Sequence, residues 1–258
     1  MDEHPGRVDA LLVCGGDFHD FDYARRELLD HLGEHDQIRT TVVPDYSHTE
    51  AIGRSDFLIT YTCNVRPSEA EQEALAAFVR TGGRWLALHG TNAALDLSAT
   101  GVATPRVFPL LAEVLGSQFL AHPVPIEPYD VEVVDPDHWF TAGVGGFTAN
   151  DELYLSEHHD RDALIPLLQT RWTGTATGFE EADWPDDVAH LVAYLRPFGE
   201  GSVLYLTLGH CRGHYDMQPQ VRWYPEIERG SWAVPEFREL LRRGIRWGAG
   251  LDAARDAG

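Results

Sequence analysis

An α/β fold built on a doubly wound, mostly parallel central sheet flanked by helices is predicted by three features of the chain. Short apolar runs alternate with helix-like stretches through residues 8–94, the pattern of strands joined by crossover helices. The run at 85–88 is apolar without alternation and lies between Gly82-Gly83-Arg84 and His89-Gly90, as expected of a strand covered on both faces. Residues 192–208 hold two strand-like runs around Gly199-Glu200-Gly201, which reads as an antiparallel hairpin extending the sheet.

Taken in order, residues 8–14 are the first expected strand, closed by the turn Gly15-Gly16-Asp17-Phe18-His19-Asp20. Across 21–32, Tyr23, Leu28, Leu29 and Leu32 recur near helical spacing, and Gly33 suits the stop. The β-branched run 38–43, ended by Pro44, is a second strand, and 56–61 a third. Residues 67–80 open on Pro67, carry Glu69 and Glu71 early and Arg80 late, in keeping with the helix dipole. They lead into the strand that ends at Leu88, after which the small residues following His89 read as helix. Farther on, 105–115 is expected as a helix ending at Gly116, and 126–134 as a strand before the turn Asp135-Pro136-Asp137-His138. Residues 152–156, 164–170 and 188–195 read as strands. The last element, 235–247, is an amphipathic helix whose Phe237, Leu240, Leu241, Ile245 and Trp247 suit docking on the sheet. No repeat, low-complexity segment or linker interrupts this order, so residues 1–258 are expected to form one domain.

Bulk composition narrows the function classes. Apolar residues make up 43% of the chain, ordinary for a globular protein, but 20 Lys and Arg stand against 41 Asp and Glu, a net charge of −21. So acidic a chain is repelled by phosphate backbones and anionic bilayers, which argues against nucleic-acid and membrane partners. Cys14, Cys63 and Cys211 are sparse and unpaired in pattern, which fits a reducing compartment. Met1 to Pro5 lack the basic region and apolar core of a signal peptide, and no apolar run approaches the ~20 residues of a membrane span. A cytoplasmic location is expected, and a homodimer is the default for a soluble chain.

Candidate chemistry rests on the histidines at apparent strand ends: His19, His89, His122, His210 and His214. Residues at the carboxyl ends of parallel strands converge on the crevice where such sheets bind ligands, and histidine serves both acid–base chemistry and metal binding. No His-Glu-x-x-His helix marks a metal site. Asn150-Asp151-Glu152-Leu153-Tyr154 sets two acids before an expected strand; alternation along a strand would send one toward a site and leave the other solvated. Cys14 and Cys63 are alternative nucleophiles, although neither sits in a strand–nucleophile–glycine elbow.

Four segments, in order, resemble the ThuA-like (trehalose utilisation) family: Cys14-Gly15-Gly16 with His19-Asp20; Gly82-Gly83 through His89-Gly90; His138-Trp139-Phe140-Thr141 through Asp151-Glu152-Leu153-Tyr154; and Arg196-Pro197-Phe198 through Leu208-Gly209-His210. The resemblance implies the flavodoxin-like layering of class I glutamine amidotransferase-like proteins. In the amidotransferases themselves a cysteine nucleophile follows the strand that here ends at Leu88, and His89 stands in its place. Glutaminase chemistry proceeds through a thioester that an imidazole cannot form, so no glutaminase activity is expected.

The resemblance also implies a carbohydrate ligand, a disaccharide or its oxidised (keto) form. His89 and His210 would then exchange protons with it, and Asp151 or Glu152 would orient or polarise it, in a lyase, hydrolase or isomerase reaction. Gly16, His19, Gly90, Thr91, Asn92, His122, Tyr154, Trp139 and His214 would line the ligand, with Trp139 or Trp223 stacking on a sugar face. His19, His89 and His210 would hold a divalent metal, zinc or similar, as Lewis acid. Two departures stand out. The turn Asp137-His138-Trp139 replaces a His-Pro common in the family, and the aromatic-rich 211–232 segment is longer, as a specificity loop or dimer contact would be. The alternative is a non-catalytic sugar-binding or interaction protein on the same scaffold; scattered histidines would favour it, and convergence in one cleft would favour an enzyme.

Overall fold

The computed structural model describes residues 6–251, so the expectation drawn from Met1 to Pro5 lies outside the described residues. The first half winds as expected: β1 (Val8–Gly16), α1 (Phe21–Leu32), β2 (Ile38–Val43), α2 (Thr49–Arg54), β3 (Phe57–Cys63), α3 (Glu69–Arg80) and β4 (Arg84–Leu88). A single 3-10 turn over His89–Asn92 follows β4 in place of the expected helix. Two short pairing strands, β5 (Asp96–Leu97) and β6 (Val102–Ala103), then precede α4 (Pro109–Leu115), β7 (Ser117–Ala121), β8 (Tyr129–Val133), β9 (Phe147–Ala149) and β10 (Leu155–His158). The chain closes with β11 (Ile165–Arg171), the short pair β12 (Gly174–Thr175) and β13 (Asp183–Trp184), β14 (Ala189–Phe198), β15 (Gly201–Leu206) and α5 (Pro235–Gly248).

Nine strands form one mixed sheet in the order β2-β1-β3-β4-β15-β14-β11-β8-β9. β2, β1, β3, β4 and β15 run parallel, whereas β14, β11, β8 and β9 pair antiparallel. The antiparallel part is therefore larger than the hairpin that the 199–201 turn alone predicts. Residues along each parallel strand alternate between two buried clusters. Leu86 and Leu88 pack under α1 and α5, and Trp85 and Ala87 pack under α3 and α4. Helices on both faces are why these strands read as unbroken apolar runs.

Local punctuation explains where elements begin. Asp20 caps α1 by accepting from the Tyr23 N–H at 3.0 Å. Ser68 and Glu71 form a reciprocal capping box, which starts α3 two residues after Pro67. α4 starts at Pro109, four residues later than expected, because the Gln72 side-chain oxygen from α3 receives the Leu110 and Leu111 N–H groups. α2, β7 and β9 are too short to leave a periodic signal. The strand expected at 152–156 begins at Leu155, since the residues before it turn into the site.

Candidate functional site

The carboxyl ends of β1, β4 and β15 bring three histidines together. His19 lies in the turn after β1, where Phe18 takes a left-handed backbone (φ 73°). His89 follows β4 in the same region (φ 45°), a conformation that costs free energy and clusters at functional positions. The Tyr205 hydroxyl donates to the His89 carbonyl, and the Tyr61 ring stacks on its imidazole at 6.0 Å. Gly90 is required next: a Cβ there would stand 2.7 Å from the Thr62 carbonyl oxygen. His210 follows β15, its backbone N–H donating to Asp151 at 3.0 Å.

The two acids divide the work, and neither is solvated: Asp151 is 1% and Glu152 3% exposed. The Asp151 carboxylate accepts four backbone N–H groups, from Glu152, Gly209, His210 and Ser231, at 2.9–3.0 Å. That consumes its lone pairs, so the catalytic role expected for Asp151 is corrected: it positions His210 and ties three chain segments together. Glu152 instead faces the imidazoles, 3.2 Å from His210 Nδ1, 3.4 Å from His89 Nε2 and 3.5 Å from His122 Nε2. Arg212 Nη2 donates to the same carboxylate at 3.2 Å and Nη1 to Glu228 at 2.9 Å.

Burial and charge set the protonation pattern. Burial pushes the His19 imidazole down to about 3, so it is neutral. Burial also opposes charge on His210, but Glu152 and Glu228 outweigh it and hold His210 up at about 9. Burial alone would raise Glu152, yet its interactions with the surrounding imidazoles, His210 first, keep its carboxyl well below the usual carboxylate range.

Hydrogen-bond partners decide which ring nitrogens carry protons. His89 Nδ1 faces the Thr207 carbonyl at 2.7 Å, and His19 Nδ1 faces the Asp17 carbonyl at 3.3 Å. His210 Nε2 faces Glu228 at 2.7 Å. In neutral imidazoles each of these nitrogens is the N–H donor. The other ring nitrogens, His19 Nε2, His89 Nε2 and His210 Nδ1, converge with Glu152, all four ligand atoms within 4.8 Å of one another, and His210 Nδ1 would offer its lone pair when a cation displaces the proton. His19 and His89 Nε2 are only 2.9 Å apart, and buried His210 Nδ1 faces Glu152 at 3.2 Å. Imidazoles anchored through one nitrogen by carbonyls or a carboxylate, with the other aimed at a common point, have the donor set and outer support of a divalent-cation site.

Above this cluster opens a chamber of about 110 Å³ reached by His19, His122, Glu152, Tyr154 and Arg212. The 211–232 segment contributes Arg212 and Met217 to it.

Several sequence-predicted ligand contacts lie elsewhere. Trp139 stacks on Trp247 at 6.0 Å and lines a groove with Arg84 and Ser202, at the amino ends of β4 and β15 and thus the opposite end of the sheet. His214 is stacked on Trp223 at 4.0 Å, with Nδ1 facing the Tyr224 carbonyl at 2.7 Å, so both aromatics are occupied within their own loop. Thr91 donates to the Leu88 carbonyl and Asn92 to the Ser117 hydroxyl, both turned into the core. Gly16 is needed for close approach, a Cβ there falling 2.0 Å from the Cys63 carbonyl oxygen. Tyr154 does reach the cluster, its hydroxyl 3.2 Å from His89 Nε2. Arg212 and Glu228 were not expected at the site; only the position of Arg212, two residues after His210, carries a signal. The thiols are unsuited to nucleophilic work. Burial pushes Cys14 and Cys211 up to about 12 and Cys63 higher still.

Comparison with known proteins agrees with this architecture. The profile of the ThuA family, described as trehalose utilisation, matches residues 10–224. A solved structure described as a ThuA-like protein from Bacteroides uniformis is 17% identical, with 96% of this chain and 94% of that one covered at a TM-score of 0.67. A second, from Parabacteroides merdae, is 13% identical over 94% and 90% at 0.58. A protein described as a GMP synthase subunit from Thermoplasma acidophilum shares the fold at 11% identity, over 97% and 98%, with a TM-score of 0.52. A comparison with curated proteins gave no match. Among the described residues, no helix is long and apolar enough to cross a membrane.

Proposed function

The chain belongs to the ThuA (trehalose utilisation) family, and on that footing we propose that it is an enzyme of sugar metabolism acting on a disaccharide or keto-sugar by histidine–carboxylate acid–base chemistry. The observation that carries this reading is the convergence of His19, His89, His210 and Glu152 in one cluster, of which His19 and Glu152 line the chamber above. Scattered, individually satisfied histidines would have favoured a binding protein without chemistry. His19, His89, His210 and Glu152 would hold a divalent cation such as zinc, which when bound supplies Lewis-acid polarisation of a substrate oxygen.

The chain's own residues have separable tasks. His89 and His210 lie beneath the chamber, so the proton exchange first expected of them passes to a group that lines it. His122 is that group: Nδ1 faces the Pro123 carbonyl at 2.9 Å, leaving the Nε2 lone pair to take a proton from a C–H acidified by a neighbouring keto group. Glu152, 3.5 Å away, stabilises the imidazolium so formed. Arg212 holds the Glu152 carboxylate in place by donating to it at 3.2 Å, and Asp151 fixes the backbone that carries His210.

The test joins elemental analysis of protein purified without an affinity tag to turnover of keto-disaccharides. We expect one divalent cation per chain, lost in His89→Ala, and turnover lost in His122→Ala with the cation retained. Full turnover in both variants would overturn the assignment.

A further inference from the structure

The chain after His210 leaves the site as a surface loop and returns to where it began. Arg212 and Glu228 close the neck of that loop with reciprocal backbone hydrogen bonds. The Arg212 N–H donates to the Glu228 carbonyl at 3.0 Å, and the Glu228 N–H to the Arg212 carbonyl at 2.8 Å. Inside the loop the Tyr224 N–H donates to the His214 carbonyl at 2.8 Å, so the segment is bonded to itself. Met217 reaches from it to the chamber wall, packed against the cluster that holds Phe18, Phe119 and Tyr154.

The side chains at the neck meet on the Glu228 carboxylate. Oε2 faces His210 Nε2 at 2.7 Å and accepts from Arg212 Nη1 at 2.9 Å. Oε1 accepts from the Tyr224 hydroxyl at 2.9 Å. One oxygen thus serves the histidine cluster and the other serves the loop. A carboxylate on the far nitrogen of an imidazole fixes its tautomer and ring plane and makes the opposite nitrogen a better donor to a cation. At the corresponding nitrogens His19 and His89 face only neutral carbonyls, whereas His210 faces a charge. Glu228 also adds its charge to that of Glu152 against the single Arg212 guanidinium between them, a balance that favours a dication.

Resting on the cation site proposed above, we propose that Glu228 is its positioning residue and that the same carboxylate clasps the 212–228 loop, so that a divalent cation on His210 tightens the loop and a closed loop tightens the cation. The two effects are one coupling free energy and must be equal. Because the loop carries Arg212 and Met217, loading the cluster also fixes one wall of the chamber.

Zinc titration of the full chain in competition with a chromogenic chelator, joined to hydrogen exchange of metal-free and zinc-loaded protein, tests this in wild type, Glu228→Gln and Tyr224→Phe. In wild type, zinc should slow exchange of the Arg212, Tyr224 and Glu228 amides by at least about fivefold. Glu228→Gln keeps the shape and removes the charge, so zinc affinity should fall about ten- to a hundredfold. The α3 amides should stay as protected as in wild type, which separates this loss from a general loss of fold. Tyr224→Phe leaves Glu228 on His210 but frees one bond of the loop. There the loop amides should exchange faster and zinc affinity should fall by a smaller factor. Unchanged zinc affinity in Glu228→Gln, loop exchange indifferent to zinc in wild type, or faster exchange in Tyr224→Phe at full zinc affinity overturns the proposal while the cation site stands. If the wild-type chain takes up no zinc, the cation site itself fails and the proposal falls with it.

Discussion

Asp151→Asn isolates the most heavily used carboxylate in the structure. Oδ1 accepts the N–H groups of Glu152 and His210, and Oδ2 those of Gly209 and Ser231. An amide preserves shape but replaces one oxygen by an NH2 group, which would face two backbone donors. Two hydrogen bonds to a charged acceptor are thereby lost, each worth about 1.5–3 kcal/mol, so a loss of ~3–6 kcal/mol is expected. The buried setting leaves no water to compensate the orphaned N–H groups. Against a typical domain stability of about 5–15 kcal/mol this is severe. Urea unfolding followed by circular dichroism should show a midpoint shift at nearly constant slope, and the thermal midpoint should fall by at least about 6 °C. A loss under ~1 kcal/mol would refute the view that Asp151 is a structural hub, and would leave its carboxylate free to meet substrate.

Gly90→Ala should lower stability by about 1–3 kcal/mol and reduce turnover, because the new Cβ would stand 2.7 Å from the Thr62 carbonyl oxygen and 2.8 Å from Cys63 Cβ; wild-type stability in that variant would contradict the close approach. His158 is lowered from its ordinary 6.5 to about 4, first by burial and then by Arg161. The unfolded chain therefore binds the proton more tightly between those values, and stability should decline as pH falls through that window by up to ~1.4 kcal/mol per unit. His158→Gln should flatten this slope, and an unchanged slope would show that the imidazole is not held neutral. Iodoacetamide at pH 8 should label the urea-unfolded chain and spare native Cys14, Cys63 and Cys211, all buried with thiols pushed upward; rapid labelling of native Cys63 would revive a thiol nucleophile.

Periodicity and punctuation decide the local course of this chain. α1 and β2 occupy the expected residues, and β4 ends at Leu88 with His89 at the ligand-binding end of the sheet, because two-sided burial, helix caps and glycine turns act within a few residues. The ordered motifs that resemble the ThuA family carry the fold class for the same reason: they mark strand ends. Short elements such as β9, three residues long, escape because they are held by partners far away in sequence.

The site needed the tertiary structure. Five histidines look alike at strand ends, yet His19, His89 and His210 converge with Glu152, His122 reaches the chamber, and His214 is consumed by Trp223 and Tyr224. Asp151 and Glu152 are neighbours in sequence with opposite tasks, one bonded to backbone and the other facing imidazoles, since each side chain's role depends on what long-range packing brings opposite it. Trp139 sits in a motif that resembles the family but packs at the far end of the sheet against α5. Spacing along the chain records local conformation, whereas the direction in which a side chain at a strand end meets its partners is set by sheet order and by crossovers that join residues from opposite ends of the chain, as the His19–His210 contact shows.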